Sequence, residues 1–437
     1  MIAANIGKIF LNAYNEKYQS NYTAKAFFVE KYYEIFFNHN KYMMPGGWSP
    51  LENPKISWDQ MRLGKIPYET TEERFDRYSK TIEKIESGTA DVSNAIGFPT
   101  LDYTKPTSGQ VTNLELPIKT DDIYLSWIGS GLGIGVQSGL SLLFSNKQIL
   151  LDLFEGWQVY RDYLNSTPSL RGNQINTWNG QWIAHRYDKL SYDEANPTAS
   201  FNPFGAMKDG GIELNTQSWT KVLIGIARNY PETSLTAYVY SLGQMNITVG
   251  FVPFNLPRIR QPFELYDKYF GTTKREQVEQ LFGTAIGFTK ACQMGSIGVN
   301  ALEPKGFRDS MAKGVVPKYN PIDEEKKINF NTYQIWLLAM LNNEQLWEKA
   351  QQIATTLNSY SLSDKNAKKV KSQEVTNLLA SVNKKQFIES LIEIVKGSPE
   401  TDQLAEIAEI IHTMPVDNVP YFLTLIRFQY AVVNKKS

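Results

Sequence analysis

Apolar residues at helical spacing predict a helix near the amino terminus. Six aromatic residues follow this pattern: Phe27, Phe28, Tyr32, Tyr33, Phe36 and Phe37. Ser20 or Thr23 can cap this helix, because a hydroxyl oxygen accepts from the first free backbone N–H groups. So broad an aromatic face needs a partner surface, and we expect residues 1–90 to form a helical subregion inside a larger domain.

The last third of the chain predicts a helical bundle. Helical patterns cover five segments: 332–357, 367–382, 384–396, 398–414 and 419–433. In the third segment Phe387, Leu391 and Val395 recur about one turn apart, which is the spacing of a stripe that faces a core. Short links between successive helices favour antiparallel neighbours, as in a bundle.

The middle of the chain has a different pattern, rich in Gly, Pro, Asn and Trp. Four short apolar runs predict strands: 123–128, 222–226, 237–242 and 247–252. Residues 140–163 predict a helix. The expected fold class is α+β, with a mixed, aromatic-rich body with long loops over residues 1–320 and an all-α helical bundle over residues 321–437. We expect the boundary in the proline-containing loop 305–327.

Charge and cysteine content exclude several classes of protein. Lys+Arg and Asp+Glu both number 45, so phosphate contacts must come from a local patch rather than from bulk charge. Cys292 is the single cysteine and cannot form an internal disulfide. With no signal peptide visible, we expect a cytoplasmic protein. Residues 123–146 carry no charge, but their five glycines and several serines contribute too little transfer free energy for a membrane span.

No motif predicts catalysis, a metal or a cofactor. The alternating glycines of 129–135 lack the third glycine of a dinucleotide fingerprint, since Val136 or Ser138 occupies its position. We expect these glycines to serve turns or close packing. Three histidines, none at metal-ligand spacing, and one cysteine leave too few ligands for zinc. The sequence therefore predicts no catalytic residue, no metal site and no cofactor.

The segment 171–187 has the chemistry to read base edges. Five amide side chains lie in it: Asn173, Gln174, Asn176, Asn179 and Gln181. Amides pair a donor and an acceptor with a base, Arg171 and Arg186 can reach phosphates, and Trp178 or Trp182 can stack on bases or part them. The alternative is an ordered polar loop whose amides bond to the protein itself.

Two further clusters of basic residues predict contacts to a phosphate backbone. The first lies before and in the boundary loop and includes Arg258, Arg260, Lys305, Arg308 and Lys313. The second lies on the predicted bundle and includes Lys368, Lys369, Lys384 and Lys385. A solvated face without a ligand is the alternative for both clusters.

A mixed aromatic body followed by a bundle of about 110 residues resembles the large subunit of type I CRISPR surveillance complexes, known as Cascade. The run PYFLTLIRFQYA from Pro420 to Ala431, preceded by KKQFI from Lys384 to Ile388, is similar to the terminal helices of that family. The resemblance implies a non-catalytic subunit that recognises the protospacer-adjacent motif, helps to unwind target DNA and recruits the helicase-nuclease.

The resemblance also implies partners and residue roles. The partners are the backbone and small subunits of the complex, the guide RNA, target double-stranded DNA and the helicase-nuclease. Since guide pairing carries the sequence information, the five amides would contact only the short motif. Arg171, Arg186 and the two basic clusters would contact phosphates, and Trp178 or Trp182 would part the strands. The bundle would resemble the small subunit and lie along the guide–target hybrid.

Two other functions remain open from the sequence. The first is a hydrolase that uses Asp121, Asp122 or Glu155, with Trp127 and Trp157 as a stacking platform. Such chemistry on a glycosidic bond needs two carboxylates about 5–10 Å apart. The second is an interaction scaffold that binds no nucleic acid.

Overall fold

The structure is a computed structural model of the 437-residue chain. It describes residues 1–45, 49–51, 58–87, 96, 119–189, 191–230, 234–242, 244–272, 275–283, 285–312, 314–316, 318–398 and 401–436. The chain forms two compact units. The first comprises residues 1–256 and 288–296, and the second comprises residues 257–287 and 297–437.

The fold class is α+β, as the sequence predicts: a mixed, aromatic-rich N-terminal body is followed by a C-terminal helical bundle. The helices are α1 (Ile2–Tyr18), α2 (Ala24–Phe27), α3 (Tyr33–Phe36), α4 (Trp58–Arg62), α5 (Thr71–Glu86), α6 (Thr120–Ser130), α7 (Lys147–Ser166), α8 (Ile175–Arg186), α9 (Trp219–Asn229), α10 (Leu256–Phe270), α11 (Arg275–Leu281), α12 (Phe288–Gln293), α13 (Phe307–Ala312), α14 (Glu324–Leu341), α15 (Gln345–Leu362), α16 (Lys368–Leu379), α17 (Lys384–Lys396), α18 (Thr401–Thr413) and α19 (Val419–Lys436). The strands are β1 (Ile134–Val136), β2 (Leu140–Phe144), β3 (Phe204–Lys208), β4 (Gly211–Leu214), β5 (Ser234–Ser241) and β6 (Gln244–Asn255).

The aromatic run near the amino terminus forms the core of the first unit. It is helical, as predicted, with a π-helical turn at Phe28–Tyr32 between α2 and α3. Thr23 caps α2, since its hydroxyl oxygen accepts from the backbone nitrogen of Ala26 at 3.1 Å. The ring centroids of Phe36 and Trp157 lie 4.8 Å apart, nearly edge to face, and both side chains are fully buried. The aromatic content of the chain therefore serves packing here.

Two glycines let α1 and α6 cross at very short range. A Cβ at Gly7 would lie 2.1 Å from the carbonyl oxygen of Leu125, and a Cβ at Gly129 would lie 1.9 Å from that of Ala3. Any side chain at either position would push the helices apart. The prediction of close packing for the glycine run is confirmed at this crossing.

The main sheet of the first unit has four antiparallel strands in the order β1-β2-β5-β6. Its β1 edge packs on α8, because Gly135 leaves room for the backbone of Asn176 against the strand. β2 is buried along its whole length, and β3 pairs with β4 in a separate hairpin. The predicted strands at 237–242 and 247–252 are confirmed as parts of β5 and β6.

Two of the four predicted strands are wrong. Residues 123–128 lie in helix α6 and residues 222–226 lie in helix α9. Residues 123–130 are all buried, so α6 has no polar face, and a short apolar run does not distinguish such a helix from a strand. Residues 123–146 form α6, β1 and β2, and among the described residues no helix has both the length and the apolar character to cross a membrane.

The second unit is helical in its described part. α15, α16 and α19 pack against one another, α17 contacts α16 and α18, and α14 packs on α19. Phe428 of α19 joins this arrangement to α14 through Phe330, with ring centroids 4.7 Å apart. The predicted helical bundle is thus confirmed, with α14 and α15 in place of one predicted helix at 332–357.

Candidate nucleic-acid interface

The segment 171–187 folds mainly as the buried helix α8 and not as a polar loop. All residues from 177 to 185 are buried, and α7, β1 and α9 pack around the helix. Because these elements cover it, α8 has no exposed face between residues 177 and 185 that could meet a ligand. The segment is therefore internal to the first unit.

Trp178 and Trp182 are core residues, so the prediction that either side chain parts DNA strands is wrong. Their exposed fractions are 0% and 1%. Trp178 stacks on Tyr160 with ring centroids 4.7 Å apart, and its Nε1 donates to the carbonyl oxygen of Gly156 at 2.8 Å. Trp182 Nε1 donates to the carbonyl oxygen of Asp152 at 2.8 Å. Removing a buried Trp from such a site costs about 3–5 kcal/mol.

Asn179 and Gln181 bond to the protein itself, so the prediction that they read bases is also wrong. Asn179 is fully buried, and its Nδ2 donates to the carbonyl oxygens of Gly131 and Gly133, both at 2.8 Å. Gln181 Nε2 donates to the carbonyl oxygen of Asn215 at 2.7 Å. Both amides thus donate to backbone carbonyl oxygens next to α8. The alternative stated from the sequence, that the amides of this segment bond to the protein itself, describes these two residues.

The three amides at the start of the segment are half-buried and also have partners. Gln174 Oε1 accepts from the backbone nitrogen of Leu214 at 2.9 Å, and Asn176 Nδ2 donates to the Tyr240 hydroxyl at 3.2 Å. The Asn173 side-chain amide lies 3.2 Å from the backbone carbonyl oxygens of Tyr42 and Met44, and its nitrogen donates to both when the amide is oriented with nitrogen towards them. Each of the five amides of segment 171–187 therefore contacts another group of the first unit.

Arg186 belongs to a charge cluster rather than to a phosphate site. Its Nη2 lies 3.0 Å from Asp152 and 2.9 Å from Glu155, and Lys17 pairs with Glu155 at 2.6 Å. Burial lowers the pKa of Arg186, but the two carboxylates outweigh burial and raise it above its usual value. The Tyr187 hydroxyl donates to Asp152 at 2.6 Å, and burial together with this carboxylate raises the pKa of Tyr187. Two carboxylates thus already pair with the Arg186 cation, and the phosphate contact expected for it stays a prediction.

Arg171 anchors the exposed hairpin β3–β4. Its Nη1 pairs with Glu213 at 2.9 Å and its Nη2 donates to the carbonyl oxygen of Lys208 at 3.1 Å. The turn residues Asp209 and Gly210 have φ values of 49° and 70°, which match a two-residue type I′ turn. Arg171 therefore positions the hairpin, and the phosphate contact expected for it stays a prediction.

The hairpin tip is an exposed feature close to segment 171–187. Met207 is 64% exposed, and Lys208 is exposed beside it. Arg62 supports the turn from α4 by donating to the carbonyl oxygen of Gly210. The prediction from sequence missed this hairpin, although an Asp-Gly pair between short strands is a strong hairpin signal.

Several of the predicted basic residues of the second unit have partners. Arg258 Nη2 donates to the carbonyl oxygen of Ala339 at 2.8 Å. Further pairs join Arg260 to Glu264 at 3.0 Å, Arg308 to Glu303 at 2.7 Å and Lys385 to Glu389 at 3.8 Å. Lys384 Nζ donates to the carbonyl oxygen of His412 at 2.7 Å. Lys305 is exposed, and Lys313 lies outside the described residues.

Three lysines at or just before the start of α16 have no carboxylate partner among the described residues. Lys365, Lys368 and Lys369 are exposed, and no carboxylate of the described residues lies within ion-pair distance of any of them. Lys368 and Lys369 occupy the first turn of the helix, which is the positive end of its dipole and disfavours cations. We call Lys365, Lys368 and Lys369 the α16 cluster.

The acidic residues of the hydrolase hypothesis do not converge on a platform. Asp121 and Asp122 lie in the first turn of α6, where the helix dipole favours carboxylates. Trp127 and Trp157 are 1% and 0% exposed, so neither ring can stack on a substrate and the predicted platform is wrong. Glu155 is held by its two ion pairs.

The described residues contain no group of three or more His, Cys, Asp or Glu that could hold a metal ion. Burial raises the pKa of the Cys292 thiol to about 11, so this group stays protonated near neutral pH. Among the described residues, these two observations therefore identify neither a metal-binding cluster nor a reactive thiolate.

Comparisons with protein-family models, with curated proteins and with solved structures find no match to this chain. Its function must therefore be argued from its own residues. The α16 cluster and the tip of the β3–β4 hairpin are exposed features whose chemistry suits nucleic acid.

Proposed function

We propose that this chain is the non-catalytic large subunit of a type I CRISPR RNA-guided surveillance complex and acts in the cytoplasm. The observation that carries the proposal is the α16 cluster, three exposed lysines without a carboxylate partner in the described part of the bundle. The α+β body with a C-terminal bundle and the resemblance of the terminal helices support the same assignment.

Electrostatics favours a polyanion at the α16 cluster. Each cation at the positive end of a helix is unfavourable by about 0.3–1 kcal/mol when nothing compensates it. A phosphate backbone near α16 would neutralise Lys368 and Lys369 together and release counterions. The contact would be to backbone alone, so it suits the hybrid of guide RNA and target DNA, whose sequence is read by base pairing.

The tip of the β3–β4 hairpin takes the role that the buried tryptophans cannot. Met207 is an exposed apolar side chain at a tight turn, which is the kind of group that enters between base steps. Lys208 can contact the adjacent phosphate. Arg171 and Arg62 both donate to backbone carbonyl oxygens of the turn, so the tip is supported when it meets duplex DNA at the protospacer-adjacent motif.

The proposed partners follow from this assignment. They are the guide RNA, target double-stranded DNA, the backbone and small subunits of the complex, and the helicase-nuclease that cuts the unwound target. A subunit with this role needs to bind nucleic acid and to separate DNA strands. The lysines of the α16 cluster are suited to binding, and the apolar hairpin tip is suited to strand separation.

Co-purification tests the assignment most directly. Tagged full-length protein isolated from its native host should carry several other proteins and short RNAs of uniform length. A protein that elutes alone and free of RNA, under conditions in which the host expresses its other CRISPR proteins, would contradict the proposal.

A strand-separation assay tests the hairpin. In the assembled complex, Met207→Ala together with Lys208→Ala should slow opening of the first target base pairs, followed by 2-aminopurine fluorescence next to the motif. Lys189→Ala, an exposed lysine that shares a pocket with Arg186 and Tyr192 and lies outside β3 and β4, is the control. Equal opening rates for the hairpin variant and the wild type would remove the hairpin from the mechanism.

A further inference from the structure

The bundle contains a polar groove between two antiparallel helices. Lys349 of α15 pairs with Glu406 of α18 at 2.5 Å, and Thr356 of α15 bonds to Gln403 of α18 at 3.1 Å. The chain numbers rise along one helix as they fall along the other, so the helices are antiparallel. The groove beside these bridges has a volume of about 840 Å³.

The floor of the groove is apolar and its walls are polar. Ile353 and Ile407 lie at the floor with 2% and 4% exposed, and Ile410 is half-buried beside them. Glu348, Gln352 and other amide and hydroxyl side chains form the walls. Residues 348–356 of α15 span about 12 Å at 1.5 Å per residue, so the groove is long enough for two turns of another helix.

Charge decides what can occupy this groove. α18 has no lysine or arginine and carries Asp402, Glu406 and Glu409 along one stripe, of which Glu406 lines the groove. Glu348 of α15, like Asp402 and Glu409, has no ion-pair partner among the described residues. The one lysine of the groove, Lys349, is already paired. The groove is therefore net negative, and a phosphate backbone would be repelled from it.

We propose that the α15–α18 groove binds a basic amphipathic helix from a partner protein. An apolar side chain of that helix would cover the half-buried Ile410. Its lysines or arginines would meet Glu348 and Glu406 in the groove wall and Asp402 one turn before Glu406 on α18. This surface is separate from the α16 cluster and goes beyond the proposed function, since the groove can bind a protein whether or not the chain carries guide RNA.

Site-specific photocrosslinking tests the occupant. The full chain carrying p-benzoylphenylalanine at Gln352, a groove residue, is irradiated in its native host, and the crosslinked peptide is sequenced by mass spectrometry. The expected adduct is a Lys/Arg-rich helical segment of another polypeptide. The same probe at Gln373, an exposed position on α16, is the control and should not capture that segment.

Charge reversal makes the test specific. Glu348→Lys with Asp402→Lys removes no ion pair of the described residues, so the fold should persist, and the yield of the adduct should fall about tenfold. A synthetic peptide of the captured segment should bind the purified chain, and the same variant should weaken this binding about tenfold. An adduct on nucleic acid, on a second copy of this chain or on a segment without basic residues would overturn the proposal. So would a yield at Gln352 no higher than that at Gln373, or a yield that charge reversal leaves unchanged.

Discussion

Arg186 Nη2 lies 3.0 Å from the buried carboxylate of Asp152, and this pair joins α8 to α7 inside the first unit. The other oxygen of Asp152 accepts from the Tyr187 hydroxyl at 2.6 Å. A segment whose composition suits DNA recognition thus uses one of its two arginines to hold two helices together. Composition alone does not separate these roles, because arginine and amide groups recognise backbone carbonyls and carboxylates as readily as phosphates and bases.

Replacing Asp152 with Asn should destabilise the first unit. The substitution removes one of the two carboxylates that neutralise Arg186, and breaking a buried pair in this way costs about 3 kcal/mol. Urea unfolding followed by tryptophan fluorescence measures the loss. Asp162→Asn, an exposed change on the same helix, should stay within about 0.5 kcal/mol of the wild type. Equal losses for the two variants would show that the buried pair contributes nothing.

Gly129→Ala should separate α1 from α6. Its Cβ would lie 1.9 Å from the carbonyl oxygen of Ala3, so a backbone must move, and overpacking of this kind costs about 1–3 kcal/mol. Thermal or urea unfolding gives the change. Gly287→Ala, where no atom lies within 4 Å of the added Cβ, is the control. A Gly129 variant as stable as this control would mean that the close crossing is absent in solution.

The parts of the fold that follow from the sequence are those in which one face of an element is apolar. The stripe through Phe387 and Leu391 predicts α17 correctly, and both side chains are buried. α6 is mistaken for a strand because burial on nearly all sides removes the period that distinguishes a helix from a strand. α9 keeps an amphipathic helical period, but the apolar run 222–226 on which the prediction rests is too short to show it. The site was harder to predict still. A polar residue such as Asn179 can contact either a base or a backbone carbonyl oxygen. Which of the two it contacts depends on segments far away in the sequence, here Gly131 and Gly133, and no local sequence pattern predicts that contact.

His39 should make stability depend on pH on the acid side. Burial, with Arg161 nearby, lowers the pKa of His39 from 6.5 to about 4. Between these values the unfolded chain binds a proton that the folded chain does not, so stability falls as the pH falls through this window. Urea midpoints at about pH 7 and pH 5 should therefore differ more for the wild type than for His39→Gln. His412→Gln, an exposed histidine on α18, controls for the substitution itself. If His39→Gln keeps the whole wild-type pH dependence, the imidazole is not the group responsible.

The α16 cluster should control the salt dependence of DNA binding and leave sequence preference unchanged. Lys368→Gln with Lys369→Gln removes two phosphate contacts, so the slope of log K against log salt should become shallower by about 1.4–1.8. The measurement is binding of the assembled complex to matched and mismatched target duplexes at several salt concentrations. The ratio between the two targets should stay the same, because the guide and the motif set it.

A matched control for this prediction lies on the neighbouring helix α17. Lys385→Gln with Lys396→Gln removes the same charge, but Lys385 and Lys396 already pair with Glu389 and Glu393 at 3.8 Å and 2.8 Å. Lysines that a carboxylate already neutralises release few counterions on binding, so this variant should retain nearly the wild-type slope. Equal slopes for the two variants would mean that net charge, and not the position of the α16 cluster, governs DNA binding. An unchanged slope in the Lys368/Lys369 variant would place the phosphate contacts elsewhere on the chain.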